Sequence, residues 1–387
     1  MADEQTNRGA FLIQQHYCDA NAAPIYGRMC AAIAAGLTRD TAVGARVLDW
    51  PGEPTRDAVP LRLFGGFHAL VLAGKDAGLA SIYSGTVTER ADILAILEGV
   101  MATQEAALMP WLDGPPQTNE PGRSAGLMLG LIELARRHGP RIELLEIGSS
   151  AGLNLLIDRY RFDLGGTIAG ATDSPVTIRP VWAGPAAPTV PVEIVSVRGC
   201  DVAPLDATDP AVAARLAAFV WPETPERLTR VRAAIDMVRE KGVAVERADA
   251  ADWVEARLAE PHEAGVTRVL MHSVVWQYLP EAVAERIRTA MKAAGAQATS
   301  ERPLGWVMME PERAFGHQHI RARSWPDSRP DFGPDSGPDS GPNTRRGAGE
   351  WMTVATSHAH GTWIDTSAGA GDAPPPTALP EAARIRV

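Results

Sequence analysis

Apolar positions along the first 140 residues recur at the spacing of helices. In residues 61–74, "LRLFGGFHALVLAG", the positions Leu63, Phe64 and Phe67 fall on one face of a helix, as do the next apolar residues. Residues 91–112, "ADILAILEGVMATQEAALMPWL", show the same pattern, and "RSAGLMLGLIELARRHG" predicts a further helix that Gly139 ends. Strand candidates are scarce here. The pattern therefore predicts a helical N-terminal region over residues 1–140.

From residue 141 the pattern changes to strand candidates that alternate with helix candidates. The strand candidates are "RIELLEI", "VEIVSV", "VAVERADA", "VTRVLMHSVVW", "LGWVMME" and "WMTVATS". The helix candidates are "LNLLIDRY", "PAVAARLAAFV", "PERLTRVRAAIDMVREKG", "ADWVEARLA" and "PEAVAERIRTAMKAAG". Such alternation is typical of a parallel sheet with crossover helices. We therefore predict an α/β fold whose mostly parallel sheet lies within residues 141–368.

Three stretches interrupt this pattern. Residues 163–191 are rich in proline and glycine and are predicted to be an insertion that contains a hairpin. Residues 326–350 repeat Gly-Pro-Asp-Ser units without apolar anchors, which predicts a disordered loop. The tail, residues 369–387, is predicted to be disordered for the same reason.

Composition narrows the classes of partner. The formal net charge is -10 and the pI is near 5.4, which argues against a nucleic-acid partner because such proteins usually present a basic face. Cys18, Cys30 and Cys200 form neither a disulfide framework nor a zinc pattern, which favours a reducing compartment. The N-terminus does not resemble a secretory signal, and no apolar run approaches the roughly 20 residues that cross a bilayer. We predict a cytoplasmic protein without a membrane partner.

The turn in "EIGSSAGLN", after the first strand candidate, admits three interpretations. Residues 148–152 match G-x-S-x-G, the nucleophile elbow of α/β hydrolases, in which Ser150 would attack an ester. In those enzymes several strands precede the elbow, whereas helices precede it here; His358 or His360 would supply the histidine. A dinucleotide-binding turn fails on its glycine spacing, and a P-loop fails because no lysine follows.

The third interpretation is an adenosyl-cofactor site, because the turn resembles motif I of class I S-adenosylmethionine-dependent methyltransferases. Glu146, Gly148 and Gly152 occupy the matching positions, with Ser150 in place of the usual middle glycine. The resemblance implies that small residues let the backbone approach the cofactor and that a helix N-terminus meets its carboxylate.

Later strands resemble the same fold in order. Asp201 matches the acidic residue that binds the ribose hydroxyls, for which a carboxylate can accept two hydrogen bonds. Asp249 and Ala250 match the pair that meets the adenine. The resemblance thus implies a Rossmann-like, class I methyltransferase-like sheet with a helical N-terminal cap domain and S-adenosylmethionine as cofactor. The predicted cofactor-binding residues are Glu146, Gly148, Ser149, Ser150, Gly152, Asn154, Asp201, Asp249, Ala250 and His272.

Methyl transfer requires mainly alignment, because the sulfonium is already activated. An oxygen or nitrogen nucleophile would also need a base, and His272 and Tyr278 are the predicted catalytic residues. The loop after the fourth strand would border a small-molecule acceptor that the sequence does not identify. The predicted substrate-binding residues are Asn119, Glu120, Arg123, Trp276 and Gln277. The alternatives are a serine esterase that uses Ser150 and a non-catalytic Rossmann-like binding protein.

Two further patterns each have a simpler and a functional interpretation. In "QTNE", residues 117–120, Thr118 or Asn119 would cap the following helix, or Asn119 and Glu120, together with Arg123, would lie over the cofactor pocket. The pairs "HQH" (residues 317–319) and "HAH" (residues 358–360) could each chelate a metal on a strand, but no further ligands complete a site. We predict no metal.

The chain as a whole resembles a bacterial family, the domain-of-unknown-function 2332 family. The resembling segments are "PPQTNEPGRSA", "LLEIGSSAGLNLLIDRY", "DVAPLDATDP", "FVWP", "HSVVWQYLP", "MMEPE" and "SHAHGTWI". This resemblance implies a methyltransferase-like fold behind a helical region and supplies neither an activity nor an acceptor.

Overall fold

A computed structural model describes residues 3–312, 317–326 and 349–367. Most of the predicted loop at 326–350, and all of the predicted tail at 369–387, lie outside the described residues. The chain divides into two compact units. The first contains the residues up to Thr118 together with Asp209–Arg232, and the second contains Asn119–Thr208 and the described residues from Ala233 onwards.

Twelve α-helices are present among the described residues. They are α1 (Glu4–Ala20), α2 (Pro24–Gly36), α3 (Ala42–Leu48), α4 (Val59–Leu72), α5 (Ala77–Tyr83), α6 (Arg90–Thr103), α7 (Glu105–Asp113), α8 (Ser124–His138), α9 (Pro210–Ala218), α10 (Pro225–Lys241), α11 (Ala250–Ala259) and α12 (Glu281–Ala296). Short 3-10 helices are formed by Pro121–Arg123, Leu153–Arg159 and Trp276–Tyr278. Before Arg141 the described chain contains only helices and connections, as the sequence predicts.

The first unit is a helical bundle around an apolar core. The core side chains predicted on α4, among them Leu63, Phe64 and Phe67, are all buried. Side chains cap several helix starts; Asp3 accepts a hydrogen bond from the Thr6 amide at 2.7 Å at the start of α1. No single helix among the described residues is long and apolar enough to span a membrane, while one bent pair, α6 with α7, passes that test of length and composition jointly.

The second unit contains a mixed sheet of nine strands and a small sheet of three. The strands are β1 (Arg141–Ile147), β2 (Arg161–Leu164), β3 (Thr167–Gly170), β4 (Thr177–Ile178), β5 (Val181–Ala183), β6 (Glu193–Asp201), β7 (Glu246–Arg247), β8 (Thr267–Ser273), β9 (Leu304–Glu312), β10 (His317–Trp325), β11 (Met352–Ser357) and β12 (Trp363–Asp365). The large sheet has the order β5-β12-β11-β10-β9-β8-β1-β6-β7. Five neighbours, β7, β6, β1, β8 and β9, are mutually parallel. The predicted α/β class with a large, mostly parallel sheet is therefore confirmed.

Helix α8 packs against β9 and β10 through glycines. A Cβ atom at Gly130 would lie 2.4 Å from Val307 Cγ1, and one at Gly126 would lie 2.7 Å from Ile320 Cδ1. A second core holds side chains from α11 and α12 with Trp306 of β9. The apolar strand β8, buried along its whole length, lies in the middle of these parallel strands, as expected for a sheet covered on both faces.

Several local predictions differ from the structure. "LNLLIDRY" forms the 3-10 helix Leu153–Arg159 instead of an α-helix, and its first five residues are buried. The predicted strand "VAVERADA" is reduced to the two residues of β7. Strand β10 was not predicted because few of its residues are apolar, namely Ile320, Ala322 and Trp325. The insertion at 163–191 contains most of the hairpin β2–β3.

The two units also differ from the predicted boundary at residue 140. Asn119 and the residues after it belong with the sheet, where the Asn119 side chain bonds the Leu153 amide. Helix α9 belongs with the helical bundle, because His68 Nδ1 lies 3.0 Å from the Ala218 carbonyl oxygen and a Cβ at Gly65 would meet the Phe219 ring at 2.6 Å. The helical unit is therefore built from two separate stretches of chain.

Candidate functional site

The turn after β1 is held in an unusual backbone conformation. Gly148, Ser150 and Gly152 all have positive φ, of +68°, +54° and +75°. For Ser150 this conformation carries a steric cost that glycine avoids, and such strain is concentrated at functional sites. Hydrogen bonds fix the turn to its neighbours: the Ser150 amide donates to Asp201 Oδ2 at 2.9 Å and the Ser149 amide donates to the Cys200 carbonyl at 3.0 Å.

Glu146 is the most perturbed acid near this turn. Glu146 is the next-to-last residue of β1 and is 1% exposed. Burial raises the pKa of Glu146 to about 7, while hydrogen bonds from Ser149 and Asn154 act in the opposite direction. Oxygen Oε2 of this carboxyl is buried and has no hydrogen-bond partner among the described residues. A buried acceptor in that state is costly unless a ligand satisfies it.

The two other predicted acids lie at the ends of neighbouring strands. Asp201 is the last residue of β6 and is half-buried; its Oδ1 accepts from the Ala203 amide at 2.8 Å. Asp249 follows β7 and caps α11, where Oδ1 accepts from the amides of Ala251 and Asp252. Ala250 is buried behind it. Because β1, β6 and β7 are parallel neighbours, all three acids lie at one edge of the sheet.

A buried polar segment, residues 119–124, joins the same turn. Asn119 Oδ1 accepts from the Leu153 amide at 2.8 Å, and Ser124 Oγ donates to Asn154 Oδ1 at 2.9 Å. Glu120 Oε1 accepts from the Gly122 amide at 2.9 Å, and the Arg123 side chain donates to the Ala359 carbonyl at 2.9 Å. Glu120 is therefore the residue that caps the first turn here. The simpler explanation, in which Thr118 or Asn119 caps the following helix, is wrong.

His272 lies at the end of β8 in a closed hydrogen-bond arrangement. Its Nδ1 is 2.6 Å from Glu310 Oε1, and Trp306 Nε1 donates to its Nε2 at 3.0 Å. The ring is fully buried and stacks on Trp276 at 5.1 Å. Since both nitrogens are engaged, the ring offers no lone pair to a substrate. The predicted role of His272 as the general base is not supported by this geometry.

The loop beyond β8 separates its aromatic residues. Trp276 is half-buried against His272, whereas Gln277 and Tyr278 are exposed, Tyr278 to 75%. Val274 has φ +54°, which is a strained conformation for a β-branched residue. Trp276 therefore lies in the buried cluster, and Tyr278 does not.

The glycines of the turn have an explanation inside the protein. A Cβ at Gly148 would lie 2.3 Å from Val275 Cγ2, and one at Gly152 would lie 2.8 Å from Val243 Cγ1. Their small size therefore serves the packing of neighbouring loops as well as the positive φ angles. The predicted helix N-terminus is a 3-10 turn whose first amide, that of Leu153, is taken by Asn119.

Other candidate chemistry is not assembled in the described part of the chain. Ser150 Oγ is buried without a hydrogen-bond partner among described residues, although a serine nucleophile needs a base nearby. His317 Nε2 and His319 Nε2 lie 3.2 Å apart, but the described residues contain no group of three potential metal ligands. A cavity of about 510 Å³ lies beside the hairpin β2–β3 and the segment 188–194, and none of the predicted site residues lines it.

Sequence reasoning missed two residues of the site, Glu310 and Ser124. Glu310 is an acidic residue in the otherwise apolar strand "LGWVMME", and an acid at a buried position is a signal that could have identified it. Ser124 carried no comparable signal, because its partner Asn154 lies 30 residues away.

Comparison with known proteins identifies the family but no activity. A family model described as an uncharacterized protein conserved in bacteria, DUF2332, matches residues 8–333. The chain therefore belongs to this family. Neither a curated protein nor a solved structure matches the chain.

Proposed function

We propose that this DUF2332 protein binds S-adenosylmethionine at the carboxyl edge of its parallel strands and transfers the methyl group to a small-molecule acceptor. The arrangement of the parallel strands supports the proposal. Counted in chain order they lie in the spatial order third, second, first, fourth, fifth, which is the order of Rossmann-like sheets. In such sheets ligands bind outside the carboxyl ends of the strands, where Glu146, Asp201 and Asp249 lie.

One observation carries the proposal: a fully buried carboxyl, that of Glu146, keeps an oxygen without a partner among the described residues at this edge. The neighbouring acids also retain acceptor capacity. Each oxygen of Asp201 accepts one backbone hydrogen bond, and a carboxylate has about four acceptor positions in total. Both capping hydrogen bonds of Asp249 reach Oδ1 alone. The residues therefore fit a ligand that presents hydroxyl and amino donors.

The cofactor would supply an electrophilic methyl group, and the protein would supply position. Asp201 would accept hydrogen bonds from the ribose diol, Asp249 and Ala250 would adjoin the adenine, and Glu146 would face the amino-acid part. The segment 119–124 stabilises the turn, because Asn119 accepts from the Leu153 amide and Ser124 donates to Asn154. These contacts would keep the three acids in position. The net charge of -10 favours a small-molecule acceptor over a nucleic acid.

Calorimetry with S-adenosylmethionine and S-adenosylhomocysteine tests the proposal directly. We expect saturable binding in the micromolar range, and a loss of at least about tenfold in Asp201→Asn, because two charge-assisted hydrogen bonds are weakened. Asp209→Asn is the matched control, since Asp209 also accepts a backbone amide, at 2.7 Å, but lies at the start of α9. Thermal melting checks that both variants are folded.

The outcomes separate the candidate functions. Absence of binding by the folded wild-type protein would overturn the proposal. Labelling of Ser150 by a serine-directed phosphonate, abolished in Ser150→Ala, would instead support the esterase alternative.

A further inference from the structure

Trp306 determines the tautomer of His272. An indole N–H can only donate a hydrogen bond, and it donates to Nε2 of His272 at 3.0 Å. Nε2 must therefore be the unprotonated nitrogen, and the ring proton must lie on Nδ1, facing Glu310 Oε1 at 2.6 Å. A second proton on Nε2 would meet the indole hydrogen. The hydrogen bond from Trp306 therefore fixes the tautomer of His272.

The Glu310 carboxyl has a ring nitrogen and a backbone amide as its hydrogen-bond partners. Its Oε1 accepts from His272 Nδ1 at 2.6 Å and from the Val275 amide at 3.0 Å. Its Oε2 is buried and has no hydrogen-bond partner among the described residues. No lysine or arginine in the described ranges lies within ion-pair distance of it. A buried carboxylate is normally paired with a positive charge.

The surroundings of Glu310 suit an organic cation. The rings of His272, Trp276 and Trp306 lie within 5.1–6.0 Å of one another. Aromatic faces attract cations through their quadrupoles, and the Arg288 guanidinium already lies 5.6 Å from the centroid of the Trp276 ring. The Glu310 side chain is 11% exposed and adjoins the loop at 274–278, whose Val275 amide donates to it.

Glu310 also lies at the same edge of the sheet as the turn after β1. In the register of β8 and β9 it is one residue beyond Met309, which pairs with Ser273 at the end of β8. Val275, whose amide bonds Glu310, places its side chain where a Cβ of Gly148 would be. A ligand at Glu310 would therefore lie next to the turn.

We propose that Glu310 Oε2 binds the ammonium group of a small-molecule amine, and that this amine is the methyl acceptor. The second part rests on the proposed function. In the transfer, one ammonium proton moves to Oε2, and the freed nitrogen lone pair forms the bond to the methyl carbon. The bond from that carbon to sulfur breaks, and its electron pair stays on sulfur. Glu310 ends protonated and the product is a methylated ammonium.

Ligand-observed NMR titration with n-butylammonium chloride tests the binding without any cofactor. The neutral, similarly shaped 1-butanol is the control ligand. We expect saturable binding of the amine, at least about tenfold tighter than that of the alcohol, because a hydrogen bond to a charged group is the stronger one. Glu310→Gln keeps an acceptor for His272 and Val275 and is expected to abolish the preference. Glu223→Gln is the matched control and should keep it, because Glu223 lies in the helical unit and also has a buried Oε2 without a partner among the described residues.

Each result decides the inference separately from the proposed function. Equal binding of amine and alcohol by the wild-type protein would overturn the inference, even if S-adenosylmethionine binds. A preference that survives in Glu310→Gln would overturn it as well. Should the glutamine variant not fold, the wild-type comparison of the two ligands still decides. Amine binding without S-adenosylmethionine binding would support the Glu310 site and reject methyl transfer.

Discussion

Two glutamates, one in each unit, show how burial of an acid can have different causes. Glu223 of the helical unit accepts hydrogen bonds from the amides of Ile25 at 2.7 Å and Tyr26 at 3.3 Å, at the start of α2. That helix lacks a side-chain cap of its own, and its N-terminus favours a negative charge. Glu146 of the sheet unit has side-chain donors only and lies near Asp201.

Burial raises the pKa of both carboxyls, so the shift by itself does not identify a ligand site. The donors distinguish them. Backbone amides at a helix start account for Glu223 as part of the fold. Both carboxyls also keep a buried Oε2 without a hydrogen-bond partner among the described residues. Glu146 carries the proposed function because it lies beside Asp201 at the carboxyl edge of the parallel strands, whereas Glu223 caps α2.

The largest expected effect concerns the pH dependence that Glu146 adds to stability. Its pKa rises from an ordinary 4.5 to about 7 in the folded protein, so that the folded state binds more protons between those values. This contribution is therefore fully present below pH 4.5 and is lost as pH rises to 7, by on the order of 3 kcal/mol. Urea denaturation across this range should show the loss in the wild-type protein.

Glu146→Gln should remove that part of the pH dependence, because the amide does not ionise. An unchanged pH profile in the variant would show that Glu146 is not the titrating group and would weaken its contrast with Glu223.

A smaller effect is expected from Gly148→Ala in the turn. The alanine would have to adopt a positive φ, and its Cβ would clash with Val275. Gly139→Ala is the matched control, because Gly139 has φ +98° but nothing within 4 Å of an added Cβ. We expect Gly148→Ala to destabilise the protein by about 2 kcal/mol more than the control, which is the cost of overpacking. Equal losses in denaturation would mean that the Val275 loop moves away freely.

The smallest effect is expected from Glu223→Ala. Removal of the acceptor for the first amides of α2 should cost about 1 kcal/mol, as for other helix caps. Glu89→Ala is the control, since Glu89 also precedes a helix but makes no capping hydrogen bond. Binding of S-adenosylmethionine by the folded variant should be unchanged. A tenfold loss of that binding would contradict the purely structural role of Glu223.

Much of the fold could be predicted because burial leaves a periodic trace. The helical spacing in α4 and the apolar runs of β1 and β8 indicated their elements correctly. Strand β10 was missed because most residues of "HQHIRARSW" are polar and only Ile320, Ala322 and Trp325 are apolar. The membership of α9 in the helical unit depends on contacts between distant residues, such as His68 with Ala218, which local patterns do not record.

Only those residues of the candidate site that belong to a sequence motif could be predicted. Glu146 and Asp201 were predicted because their strand ends resemble methyltransferase motifs, and the hydrogen bond from Ser150 to Asp201 links the turn after β1 to the end of β6. The indole of Trp306, 34 residues along the chain, donates a hydrogen bond to His272 Nε2. The sequence motif did not predict this contact when it indicated His272 as a base. Partners of this kind are fixed by the sheet register and not by spacing along the chain.

The capping of α2 by Glu223 has a consequence for synthesis of the chain on the ribosome. The acceptor lies 198 residues after the amide of Ile25 that it satisfies. The nascent helical bundle therefore cannot be completed until β1 to β6 have been synthesised, because α9 and Glu223 follow them in the chain. An excised fragment that ends at residue 140 lacks α9 and this cap, so that cutting there yields an incomplete bundle.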